Sequence, residues 1–157
     1  MKLSMAAGCI LFGAILAIPS FAQGNSNRDL REPGACSTRT LKGDYAFTVE
    51  GIILPPTGGQ VPIRGVHLTH FDGKGALTQL DHLLIAGVPI SPLDWTPVTG
   101  TYEVNSDCTG KMSLSSGGQF VNLKIVVGAN GKQIYAIVTV PFDGPPRTVT
   151  STGIKVE

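Results

Sequence analysis

Glycine and proline divide the chain after residue 41 into short segments, and inside those segments polar and apolar side chains alternate. Alternation of period two puts successive side chains on opposite faces of an extended strand, a pattern no helix can use. Around residues 42–52, Tyr45, Phe47 and Val49 share one face while Asp44, Thr48 and Glu50 share the other. Around 98–105, Tyr102 and Val104 oppose Thr101 and Glu103. Two β-branched runs, Val121–Val127 and Ile134–Val140, follow. In all the pattern predicts eight strands, at about 42–52, 62–71, 76–86, 98–105, 109–115, 119–127, 132–140 and 146–156. With 20 glycines and 11 prolines in 157 residues, a helical bundle or coiled coil is excluded.

The connections sort by position. Asp72–Gly75, Asn105–Gly110 and Gly128–Gly131 are compact, Gly-bearing turns. Leu54–Gly59, Gly87–Pro97 and Pro141–Pro146 are longer and proline-rich, and Ser115–Gly118 is a short exception. In an up-and-down meander alternate connections lie at opposite ends, so the compact turns gather at one end and the long loops at the other. Eight strands so connected predict a closed antiparallel barrel, because closure removes sheet edges. A two-sheet β-sandwich is the alternative. Cys36, just before the first strand, and Cys108, in the fourth connection, both fall at the compact end, so a bridge between them would pin the base.

Residues 1–22 read as a secretory signal peptide: Lys2, then an apolar run to Ile18, then Ser20 and Ala22 before a cleavage site. This predicts a secreted or periplasmic protein, with residues 23–35 as a flexible leader and 36–157 as one barrel domain, and with no permanent membrane span after cleavage. Loss of Lys2 takes the formal charge from +1 to zero. A neutral chain has no basic surface for nucleic acid, so none is expected as a partner. Glu50, Glu103, Lys111 and Lys155 interrupt the outward face, which argues against a transmembrane barrel.

Four segments carry a resemblance: Cys36-Ser37; Leu41-Lys42-Gly43-x-Tyr45-x-Phe47; Phe71-Asp72-Gly73-Lys74-Gly75; and Gly100-x-Tyr102-x-Val104-Asn105-x-Asp107-Cys108-Thr109-Gly110. Over residues 36–115 the chain resembles an uncharacterised family of small exported bacterial β-barrel proteins, which brings no established activity with it. At fold level the layout is also similar to calycin-like barrels such as lipocalins and allene oxide cyclases. The lipocalin Gly-x-Trp opening is missing, with Tyr45 where its tryptophan would stand.

The sequence offers no catalytic constellation. It has no paired-acid signature, no nucleophile elbow, no phosphate loop and no zinc spacing, so neither a metal nor a cofactor is expected. If the Asp72–Gly75 turn pairs Phe71 with Ala76, His67 falls opposite Leu80 with His82 diagonal on the same face, and Asp81 points away. Trp95, in a mouth loop, could close over a ligand. The expected lining of a ligand site is therefore Tyr45, Phe47, His67, His82, Trp95 and Tyr102. The expected function is binding of a small apolar molecule in the barrel. The alternative is a structural or surface-interaction protein with a solid core, and a cofactor-free isomerase or cyclase ranks below both.

Overall fold

A computed structural model describes residues 36–139 and 145–156, so the expected signal peptide (1–22) and leader (23–35) lie outside the described residues. The strands are β1 (Lys42–Ile53), β2 (Val61–Asp72), β3 (Ala76–Ile85), β4 (Val88–Pro89), β5 (Thr96–Val104), β6 (Thr109–Ser116), β7 (Gln119–Gly128), β8 (Gln133–Thr139) and β9 (Arg147–Lys155). Eight of them form one closed antiparallel barrel in the order β2–β1–β9–β8–β7–β6–β5–β3, with β3 returning to β2. A single closed sheet replaces the two stacked layers of a sandwich. The two-residue β4 lies outside this ring and prolongs the edge of β3 through Leu84 and Ile85. Two single 3₁₀ turns, Thr38–Thr40 and Ala129–Gly131, are the only helical elements among the described residues.

Alternation decides which side chains fill the barrel. In β1, Tyr45, Phe47 and Val49 are buried while Asp44, Ala46, Thr48 and Glu50 are exposed. The base half is packed solid. Phe71 meets Tyr45 edge-on at 5.2 Å and Tyr102 edge-on at 4.9 Å, an arrangement that aromatic quadrupoles favour. Met112, Ile125 and Ile134 close the remaining space.

The two Gly-x-Tyr segments do matching work at this end. The Tyr45 hydroxyl donates to the Gly131 carbonyl, tying β1 to the β7–β8 connection. The Tyr102 hydroxyl donates to the Leu41 carbonyl at 2.9 Å and accepts from the Gly73 amide at 2.9 Å, tying β5 to the β2–β3 turn. Burial pushes both phenols above their ordinary range. Cys36 and Cys108 lie at disulfide distance across the same base, with Cα atoms 5.0 Å apart. Such a pair is consistent with an oxidising, exported location.

The β2–β3 register corrects the sequence expectation by one residue. Phe71 pairs with Leu77, not Ala76, and His67 lies opposite Asp81, not Leu80. The cause is Asp72, whose Oδ1 accepts from the amides of Lys74, Gly75 and Ala76 at 2.6, 2.9 and 3.0 Å. Capping Ala76 in this way leaves a three-residue loop, Gly73-Lys74-Gly75, whose two glycines take φ of 77° and 116°. The slip turns Asp81 into the barrel and His82 out of it.

Candidate functional site

Above the aromatic base the inward positions carry smaller side chains. Val49, Val98, Val121 and Val149 stand where the base has Tyr45, Tyr102, Ile125 and Phe47 on the same strands or their neighbours. Valines and leucines cannot fill an eight-stranded ring, and a cavity of about 480 Å³ opens toward the mouth. Its walls are mostly aliphatic: Val49, Ile63, Leu83, Ile85, Val98 and Val149 all line it. The volume lies in the range of about 300–1,000 Å³ typical of small-molecule pockets.

One polar chain crosses this apolar interior at the cavity floor. His67 on β2 and Asp81 on β3 are cross-strand partners, and Thr69 and Gln79 are the next inward pair below them. The Gln79 amide nitrogen donates to Asp81 Oδ1 at 2.6 Å. The Thr69 hydroxyl donates to Gln79 Oε1 at 2.7 Å. With its hydrogen spent, Thr69 Oγ1 can only accept from His67, whose Nδ1 lies 3.0 Å away. His67 is therefore the Nδ1–H tautomer, with a bare lone pair on Nε2. Beneath it the Phe47 ring stacks at 4.4 Å and 17°, fixing the imidazole plane. Phe47 can lie so close to the wall because its cross-strand partner is Gly153, where any Cβ would overlap the ring.

Burial sets the charge of both titratable groups. Desolvation lowers His67 to about 4, so its ring is neutral at ordinary pH. Desolvation raises Asp81 to about 6, against the opposing pull of the Gln79 hydrogen bond. Ser151, buried on β9, adds a hydroxyl to the lining.

The six residues singled out from sequence separate into three places. His67 lines the cavity floor. Phe47 packs under His67, and Tyr45 and Tyr102 belong to the solid base below the cavity. His82 and Trp95 sit outside, at the mouth. His82 Nδ1 donates to the Asp94 carbonyl at 2.7 Å, and its ring meets Trp95 edge-on at 6.0 Å. His82 borders the cavity only from the outer face of β3, so the two histidines share no inward face. Trp95 is 46% exposed.

Sequence reasoning passes over Thr69 and Gln79 and puts Asp81 on the wrong face. The signal was there, since they fall on the same period-two face as Phe71 and Leu77, but the face of Asp81 is legible only with the correct register. Around the mouth, Leu54, Val88, Ile90, Leu93 and Phe120 are exposed, an apolar collar on the cavity opening. Among the described residues no group of three or more His, Cys, Asp or Glu could hold a metal ion, and no helix is long and apolar enough to cross a membrane. The chain matches no protein-family model and no curated protein.

Proposed function

We propose that this chain is a secreted or periplasmic binding protein, exported by cleavage after Ala22, that holds a small apolar molecule inside its barrel. The observation that carries the reading is the division of the interior. The base is filled by aromatic side chains, whereas the mouth half keeps a cavity of about 480 Å³ walled by valine, leucine and isoleucine. Such a void exposes apolar wall to water or vacancy, and a matching ligand recovers the contacts that the wall lacks. The apolar collar of Leu93, Trp95 and Phe120 extends the same chemistry to the entrance.

Native mass spectrometry on oxidised protein from its own host, before and after organic extraction, tests the reading. A mass increment that extraction removes is expected. A bare protein that also fails to take up any of a panel of apolar compounds would leave the solid-core, surface-interaction reading in its place.

A further inference from the structure

The polar chain at the cavity floor has a direction, and the direction has a consequence for any ligand. Read from Asp81 toward His67, each group donates toward the carboxylate: Gln79 to Asp81, Thr69 to Gln79, His67 Nδ1–H to Thr69. The atoms left over at the two ends are His67 Nε2 and the second Asp81 oxygen. Among the described residues neither has a hydrogen-bond partner, and neither is sealed off, since no fully buried polar side-chain atom lacks one. Both side chains line the cavity and face each other across the β2–β3 pair. With Asp81 ionised, above about pH 6, both atoms are acceptors. The floor thus offers two lone pairs side by side, with the hydroxyls of Thr96, the β5 partner of Asp81, and Ser151 among the other groups lining the cavity.

We propose that the cavity selects amphiphiles whose polar end is an uncharged hydrogen-bond donor, such as an alcohol, a phenol or an amide N–H, seated against His67 Nε2 and the free Asp81 oxygen with the apolar body toward the mouth. This rests on the apolar-ligand reading above and adds the head group to it. A donor head satisfies an acceptor that an ether or hydrocarbon would leave dry and unpaired. Seated on this floor, a carboxylate head brings a like charge against Asp81 and is disfavoured; Arg147, the cation of the cavity lining, stands at the mouth end of β9, opposite Ile53. The chain behind that floor is buried, with His67 8% exposed, Gln79 4% and Thr69 fully buried, and Asp81 is half-buried at its end. None of them can turn to present a different face without breaking the chain below it.

The test is calorimetric titration of the full mature protein, at mildly alkaline pH, with decanol, decyl methyl ether and decanoate. Decanol should bind at least about tenfold more tightly than the ether, the loss expected for one buried acceptor left unpaired, and decanoate should bind most weakly. Asp81→Asn keeps the shape and the Gln79 bond but turns an amide N–H toward the cavity. It should erase the decanol preference and improve binding of the ether and of decanoate. His67→Phe, an independent check should the first variant fold poorly, should lower decanol affinity and leave that of the ether unchanged. Equal binding of decanol and ether by the wild type overturns the head-group proposal and leaves apolar binding standing, and so does tightest binding of decanoate. Binding of none of the three overturns both.

Discussion

Asp81 and His67 bend the stability of the barrel in opposite directions with pH, so removing either should unmask the other. Burial lowers His67 from 6.5 to about 4. On acidification the unfolded chain takes up this proton through pH 6.5, while the folded chain refuses it until about 4. The His67 contribution is therefore present above 6.5 and lost as pH falls toward 4. A difference of that size is worth about 3 kcal/mol. Asp81 moves the other way, from 3.8 up to about 6. Here the folded chain takes the proton first, so the contribution is present below 3.8 and lost as pH rises through about 6. Some contact with water trims it to about 2 kcal/mol. In the wild type the two largely cancel.

The carboxyls of Asp72, Glu103 and Asp107 are held low by hydrogen bonds or, for Glu103, by Lys111. They lose their contribution in acid in every version of the protein. The informative quantity is thus variant minus wild type, from urea unfolding at a series of pH values. His67→Phe should gain about 3 kcal/mol relative to wild type on going from neutral pH to about 4. Asp81→Asn should lose about 2 kcal/mol over the same interval. Variant curves that run parallel to the wild type within about 0.5 kcal/mol would refute the reasoning, because both side chains would then be as well solvated folded as unfolded.

The base offers sharper contrasts. Tyr102→Phe strands a buried amide and a buried carbonyl and should cost about 2–4 kcal/mol, whereas Tyr45→Phe strands one carbonyl and should cost about 1–2 kcal/mol; urea midpoints in the reverse order would contradict the hydrogen-bond assignment. Replacing Cys36 and Cys108 together by serine opens a closed loop of 72 residues and should cost about 4 kcal/mol on the chain-entropy account, with a larger m-value because the unfolded chain expands. Gly153→Ala should push Phe47 off the wall, cost about 1–3 kcal/mol and weaken decanol binding by displacing the stacked His67 ring, read by denaturation and calorimetry together.

The strands were legible in the sequence because Tyr45, Phe47 and Val49 repeat with a period that only a strand can use, and the same holds at Tyr102 and Val104. Closure followed from which turns were short; the Cys36–Cys108 pairing followed from their being the two cysteines left beyond residue 22, and the turn pattern put both at the same end. The cavity floor was not legible, because one hydrogen bond from the Ala76 amide to Asp72 decides whether Asp81 faces in or out. Turn composition names such a loop without counting its residues. Tyr45 and Tyr102 illustrate a second limit. Period two says that a ring points inward, but not whether the space around it is filled. That depends on Phe71, Met112 and Ile134 meeting from three other strands. The 3₁₀ turn at Thr38–Thr40 and the two-residue β4 are too short to leave a periodic trace.

Seven of the eight joints in the barrel unite successive barrel strands, β3 and β5 meeting across the outlying β4. The eighth, β1 with β9, unites the first strand with the last and pairs Tyr45 with Lys155. Bringing those two strands together carries the largest loop-closure cost of any pairing in the molecule, so the seam is the last joint to form as the chain folds. Until it does, both β1 and β9 present unpaired backbone along their length, and two unfinished copies can satisfy each other instead. The burden of reaching the native state falls on that one line of contact. Slow refolding, and losses to aggregation that grow with protein concentration, should trace to β1 and β9 rather than to the hollow half of the barrel.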